Sequence, residues 1–417
     1  MRPRILIGLK EIAGYYGQLA LGLRQLGYPV SFWQLLSTSH RYEAETATPL
    51  VMQWIRQFCS WRRDTPWSRP FRKVVGIGLG AVLHFGLFLI ALCRFDVFIF
   101  SYDSSFLGGW EFWILRLFGK RIICVFNGSE SRPPYVDGTY LHRGYSLAKL
   151  ATMTQKMKRF VASREQAANV IVMVSPHGYF NTKPFIHGMI IGQPCDADRI
   201  ARLVGSPAAR KPDDPVRISF YDALNKGGDE IRGLLDRLGQ RYAIEIRPIK
   251  GMTHPESLRC MAGSDIVIDQ LYSDMALPMM SLEAGALGRA SIVAGYAYDE
   301  PRFSPNIFCA PEALEAMVVS LIEDPEKRQV LGESMQRYVC EEMSAVSVAR
   351  RFSKLIEGDI PESWWVDPMQ TVYLWGVSAS RSMICETVRH LTDQLGWSVL
   401  QLGDKPDLEA AYQKEVA

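Results

Sequence analysis

Short apolar runs, punctuated by glycine and proline, alternate with longer stretches of helical period along most of the chain. In the first half, "RILIGL" (Arg4 to Leu9) reads as a buried strand, followed by a glycine-containing loop, an amphipathic helix over "YGQLALGLRQLG" and a second strand from Pro29. Further strands are expected at "DVFIFS" (Asp96 to Ser101), "RIICVFN" (Arg121 to Asn127) and "NVIVMVS" (Asn169 to Ser175), with helices near Gly109 to Phe118 and Leu147 to Ala168 between them. Beyond the polar linker "SPAARKPDDP" (Ser206 to Pro215) the alternation restarts with "VRISF", "AIEIRPI", "DIVIDQ" and "ASIVAG", separated by helical runs from Gly228, Pro255 and Pro278. Strand, helix, strand in succession implies parallel pairing. Residues 311–357 read as helical, and "TVYLWGV" before a last helix as a strand or loop.

One run departs from this rhythm. Val74 to Cys93 carries no Asp, Glu, Lys or Arg and is long enough to cross a bilayer. A span there would divide the first sheet between two compartments, so we expect a buried helix packed on that sheet. The alternative is a helix lying at a membrane surface, because "WRRDTPWSRPFRK" (Trp61 to Lys73) mixes aromatic and basic residues as interfacial segments do.

The 417 residues suit two α/β domains, and 48% hydrophobic and 22% charged residues describe an ordinary globular chain. A net charge of +3 gives no reason to expect a nucleic-acid partner. The eight cysteines are scattered and form no C-x-x-C pair, and no export signal opens the sequence, so a cytoplasmic protein with reduced thiols is expected. The seven histidines show no metal-ligand spacing, and no metal is expected.

Parallel sheets bind ligands outside the carboxyl ends of their strands, which directs attention to four loops. In "GLKEIAGYYG", Gly14 precedes a helix whose first amides suit an anion, without a dinucleotide fingerprint. "FNGSESRPP" presents Asn127, Glu130 and Arg132 at a strand end. "ALNKGGDE" places Lys226 before Gly227 and the start of a helix, a receptor for a diphosphate, although no Walker A loop is present. In "DMALPMMSLEAGALG", Glu283 is a lone acid in an apolar helix; we place it near the first turn, where the dipole favours a carboxylate that can reach ribose hydroxyls. Each loop also has a plain structural reading as a turn, a cap or a solvated surface.

In their order and spacing, "VRISFYDALNKGGDEIRGLL", "GMTHPESLRCMAGSDIVIDQ" and "SLEAGALGRASIVAGY" resemble the donor-binding domain of GT-B glycosyltransferases, in particular the large retaining glycosyltransferase family 4. The first half adds a glycine loop and "GSESR", so the resemblance covers nearly the whole chain. It implies an α/β GT-B fold, two Rossmann-like doubly wound domains facing across a cleft. Residues 1–205 would form the acceptor side, 206–357 the nucleotide-sugar domain, and 358–417 an extension packing back near the first domain. By the same resemblance Lys226 holds the donor diphosphate with Gly227 beside it, Glu283 binds the ribose, Thr253 and His254 pass the nucleobase, and Gly14 approaches the phosphates across the cleft.

The implied activity is sugar transfer from a nucleotide diphosphate sugar to a glycan, lipid-linked or other acceptor, with retention, in surface polysaccharide or glycoconjugate synthesis. The donor is a substrate, and no cofactor is implied. Two departures stand out: the first of the family's two glutamates is replaced by Met275, with Asp274 adjacent, and "EAGALGRAS" lacks the usual Met and Pro. Asp103 and Glu130 are candidates for a catalytic base through their strand-end positions alone. A nucleotide-sugar epimerase, which would need an acid and base cluster at the sugar, and a non-catalytic sugar-nucleotide-binding protein are the competing readings. The apolar helix makes a membrane surface, met through residues 61–93, a further candidate partner.

Overall fold

A computed structural model describes residues 2–36, 55, 57–58, 70–101, 104–205, 214–297 and 304–416. Asp103, most of the segment 61–73 that precedes the apolar run, and linker residues 206–213 lie outside what is described, in whole or in their side chains.

The first half builds strands β1 (Ile5–Lys10), β2 (Val30–Leu36), β3 (Val97–Ser101), β4 (Arg121–Val125), β5 (Val170–Met173) and β6 (Phe185–His187). The second builds β7 (Val216–Tyr221), β8 (Ile244–Ile249), β9 (Ile266–Ile268), β10 (Ala290–Ala294) and β11 (Ile307–Cys309), while β12 (Trp365–Val366) returns to the first sheet. The longer helices are α1 (Tyr15–Gln25), α2 (Pro70–Arg94), α3 (Trp110–Leu117), α4 (Leu147–Ala167), α5 (Ala197–Val204), α6 (Gly228–Leu238), α7 (His254–Ala262) and α8 (Met279–Ala286). They continue as α9 (Leu314–Glu323), α10 (Pro325–Glu342), α11 (Ala345–Glu357), α12 (Arg381–Leu395) and α13 (Pro406–Val416). One sheet runs β12-β6-β5-β4-β3-β1-β2 and the other β11-β10-β9-β7-β8. Every described pairing is parallel except that of β12 with β6. The final strand therefore falls in the "SWWV" stretch and not in "TVYLWGV", which forms an irregular strap.

Continuous apolar strands follow from burial on both faces. Side chains alternate along each strand: Ile5, Ile7, Val97 and Ile99 join one core cluster, and Leu6, Phe98, Phe100 and Ile122 another. On the first of these faces α1 is covered by α11, a helix from the second half of the sequence, whose Val348 and Phe352 are fully buried in the same cluster as Leu19 and Leu23. The approach is close enough that a Cβ at Gly22 would lie 1.9 Å from the Ala345 carbonyl oxygen, so only glycine fits.

On the opposite face α2 and α3 cover the sheet, and the expectation of a fully buried apolar helix needs correction. Leu87, Phe88, Ala91 and Leu92 of α2 pack inward, but only one third of Gly76–Arg94 is buried. Val82 and Phe85, on the other side of the helix, are 67% and 49% exposed.

The strap crosses between the two halves. Its Val377 amide donates to the Val136 carbonyl at 3.1 Å, its Val377 carbonyl accepts from Gly138 N at 2.9 Å, and Ser378 N donates to the Tyr272 carbonyl at 2.9 Å. Behind it, α12 and α13 pack with Tyr135 and Tyr179 in a third apolar cluster. Lys405 is buried there, donating to the carbonyls of Gly178 and Pro368 at 3.1 and 2.5 Å, and burial pushes its pKa down to about 8.

Candidate functional site

The carboxyl ends of both sheets open onto one polar cavity of about 280 Å³. Asn127 and Arg132 reach it from the loop after β4, Lys226 from the loop after β7, Gln270 and Asp274 from the loop after β9, and Val377 and Ser378 from the strap.

Lys226 owes its position to the turn that follows β7. Residues Leu224–Lys226 form a single 3₁₀ turn, and Gly227 takes a left-handed conformation (φ 71°) that starts α6 directly behind the lysine. A Cβ at Gly227 would meet the Leu271 Cβ at 2.6 Å, so the turn and the close packing on the neighbouring loop both require glycine. The Lys226 ammonium donates to Gln270 Oε1. Burial lowers its pKa, and Asp269 and Asp274 only partly offset that effect. Gln270 is fixed from its other end, its amide donating to Ser273 Oγ at 2.6 Å.

Opposite Lys226 lies a buried ionic cluster that joins the two halves. Arg132 Nε donates to Asp274 Oδ2 at 2.5 Å, and Nη1 stands 3.5 Å from Asp137 Oδ2. Burial works against both charges. Even so, the two carboxylates hold the guanidinium above its ordinary pKa, and Arg132 with His177 holds the Asp274 carboxyl well below the usual carboxylate range. His177 Nε2 lies 2.8 Å from Arg132 Nη2, which can only donate, and 3.0 Å from Asp274 Oδ2, which can only accept. A neutral imidazole nitrogen serves one of these contacts at a time. Burial, and then Arg132, lower the His177 pKa and keep the ring neutral. Two atoms of the cluster, His177 Nδ1 and Asp274 Oδ1, are buried with no hydrogen-bond partner. Asp274 lines the cavity as a residue, while its Oδ1 is buried.

The residues singled out from the sequence separate into three groups. Lys226 lines the cavity and Gly227 positions it. Gly14 caps α1, and its neighbours Ile12 and Ala13 line the cavity, but the amides of Ile12, Tyr16 and Gly17 already donate to the Glu11 carboxylate at 2.8, 3.1 and 2.8 Å. The anion at this helix start is therefore a side chain of the protein itself. Burial pushes Glu11 up to about 7 against the pull of those amides. Glu130 is buried behind its loop, where its carboxylate accepts from the Asn127 amide and burial raises its pKa; it braces the loop and does not line the cavity.

Thr253, His254 and Glu283 form the third group, also away from the cavity wall. Thr253 caps α7 in a reciprocal box with Glu256. His254 Nε2 and Glu283 Oε1 are 2.7 Å apart, tying α7 to α8. Glu283 is the fifth residue of α8, and no acid occupies the first turn. The charge that faces that helix start is Asp269, whose carboxylate accepts from Ser281 N at 2.7 Å. The dipole argument therefore belongs to Asp269, and Glu283 is stabilised by a histidine.

Sequence reasoning did not place His177, Gln270, Asp274 or the strap in the site. The glutamine that ends "DIVIDQ" was the available signal for one of them; the others depend on partners far away in sequence. Among the described residues, no group of three or more His, Cys, Asp or Glu side chains is arranged to hold a metal ion.

No protein-family model and no curated protein matches the sequence. Solved structures do. The catalytic domain of starch synthase IV from Arabidopsis thaliana, bound to ADP and acarbose, superposes with a TM-score of 0.52 at 11% identity, covering 86% of this chain and 99% of that one. HepE from Anabaena in complex with UDP-glucose gives a TM-score of 0.48 at 10% identity over 86% of this chain and all of that one. UDP-GlcNAc 2-epimerase from Neisseria meningitidis gives 0.37 at 9% identity with the same coverage. The chain has the GT-B fold, two Rossmann-like halves facing across a cleft.

Proposed function

We propose that the protein transfers a glycosyl group from a nucleoside diphosphate sugar, held at this cavity, to a glycan or lipid-linked acceptor met on the side of the first sheet. The observation that carries the proposal is the convergence of Lys226 and Arg132, one cation from each half, on a single polar cavity at the carboxyl ends of two parallel sheets. Breaking the glycosidic bond develops charge on the leaving diphosphate, and preorganised cations in a partly desolvated site stabilise it. Glu283 serves ribose hydroxyls in this reading by exchanging His254 for them. Retention of configuration and a place in surface polysaccharide synthesis follow from the family resemblance, and a cytoplasmic location from the scattered cysteines; together they complete the proposal.

The test is a panel of nucleoside diphosphates and their sugars. A ligand present at a hundred times its dissociation constant should raise folding stability by about 2.7 kcal/mol. Lys226→Ala should abolish that shift and lower turnover by about 10²-fold or more; unchanged turnover would refute the leaving-group assignment.

A second reading has its own observation. An epimerase requires an acid and a base at the sugar, and His177 and Asp274 are candidates for them beside the cavity, with Arg132 a fixed cation between them. An epimerase would exchange a carbon-bound proton of the nucleotide sugar with solvent and need no acceptor, so deuterium incorporation in the absence of acceptor would favour it. Ligand stabilisation without turnover of either kind would favour a binding protein.

A further inference from the structure

The uncovered side of α2 and the uncovered side of α3 belong to one surface. Both helices rest on the same face of the first sheet, linked through an aromatic chain: ring centroids are 5.9 Å apart for Phe88 and Phe106, 6.3 Å for Phe106 and Phe100, and 5.1 Å for Phe100 and Phe112. Their outer faces therefore point away from the sheet together. Val82, Phe85 and Leu89 of α2 and Trp110, Trp113 and Leu117 of α3 are all exposed, the two tryptophans by 78% and 68%. Most surface helices carry polar residues on this side; here both sides are apolar.

The charge around this surface is one-sided. Between Val74 and Lys120 the described acids are Asp96, which is paired with Arg4 and Lys120, and Glu111, which is fully buried and accepts from the amides of Phe106, Leu107 and Gly109. Arg94 and Arg116 are exposed near the ends of the two helices. In sequence, residues 61–73 carry Arg62, Arg63, Arg69, Arg72 and Lys73 against the single acid Asp64; their side chains lie outside the described residues. A second copy is a poor occupant, because a two-fold contact would set one basic rim against another. A span is excluded by the path of the chain: α2 packs on the sheet through Leu87 and Phe88, and β3 begins three residues after it in the interior of that sheet.

We propose that α2 and α3 form a platform that seats the protein on the surface of an anionic lipid bilayer, with both helices lying in the interface. Apolar side chains enter the acyl boundary, the tryptophans take the headgroup level, and the basic rim meets lipid phosphates. This proposal is independent of the assigned activity.

Flotation of the full chain with vesicles tests it. The protein should float with phosphatidylcholine vesicles containing phosphatidylglycerol, much less with phosphatidylcholine alone, and be released by high salt. The pair Val82→Asp and Trp113→Asp, both at exposed positions, should lower the bound fraction at least about tenfold. Leu395→Asp, at an exposed apolar site on α12, should not. The thermal midpoint and the nucleoside diphosphate shift of the double variant should match those of the parent, so a failure of docking cannot be confused with a failure of the donor site. The proposal is overturned by any of four results: no flotation with either vesicle, flotation insensitive to the double substitution, retention through high-salt and alkaline washes until detergent is added, or a doubled mass in solution that the double variant abolishes without any vesicle binding.

Discussion

The loops at the carboxyl ends of the two sheets handle polar groups differently. In the first half the acids turn inward: Glu11 serves amides at the start of α1, Glu111 those before α3, and Glu130 the amide of Asn127. In the second half Asp269 and Glu256 do this too, accepting from the amides of Ser281 and Thr253, while Lys226, Gln270 and Asp274 line the cavity. The first half uses its acids on its own backbone, and the second also places charged side chains on the cavity wall. Arg132 is the exception in the first half, and its partner is Asp274 in the second.

Breaking the bridge between the halves should have the largest effect. Arg132→Met leaves Asp274 buried without its cation and should cost about 3–5 kcal/mol in urea unfolding, most of which Arg132→Met with Asp274→Asn should recover. A cost below about 1 kcal/mol would show that the pair does not hold the halves together.

The next test uses pH, because Glu11 in the first half and Asp274 in the second should titrate with opposite signs. Glu11 is raised to about 7, so between its unfolded value of about 4.5 and 7 the folded state binds more protons, and stability falls as pH rises through that window. Glu11→Gln should flatten this slope, worth at most on the order of 3 kcal/mol. Asp274 is depressed, so its contribution is present above its unfolded value of about 4 and is lost as pH falls below it. An unfolding series across pH in wild type, Glu11→Gln and Asp274→Asn separates the two.

Smaller effects sharpen the same contrast. Glu283→Gln weakens the partly exposed contact with His254 and should cost about 1 kcal/mol. If Glu283 also serves the ribose, nucleoside diphosphate affinity should fall at least about tenfold, and an intact affinity would confine Glu283 to a structural role. Trp113→Asp, at a side chain 68% exposed, should change stability by less than about 0.5 kcal/mol.

The sheets were legible in the sequence because burial on both faces makes parallel strands into unbroken apolar runs; β1, β3, β4, β5, β7 and β10 fall where those runs predict them. β6 and β12, of three and two residues, are too short to carry a pattern. Lys226 was legible because a lysine before two glycines at a strand end is a local signal. Arg132 was legible as one of three polar residues at a strand end, but its pairing with Asp274, 142 residues away, was not. His177 looked like any lone histidine. For Glu283 the sequence revealed an anomalous acid but could not show that His254 had come to meet it. On α2, composition fixed an apolar helix with no Asp, Glu, Lys or Arg from Val74 to Cys93, whereas which side the sheet would leave uncovered was decided by tertiary packing.

The strap also orders events in time. Residues leave the ribosome from the first onward, so both parallel sheets, Arg132, Lys226 and Asp274 have all been made before Val377 and Ser378 exist. A nascent chain can pair strands and bury cores as it emerges. It cannot complete the wall that Val377 and Ser378 give the cavity, nor the three backbone bonds by which they join Val136 and Gly138 to Tyr272. The site is therefore assembled after translation has passed the strap, and a chain stalled before it would hold two formed sheets and an unfinished cavity.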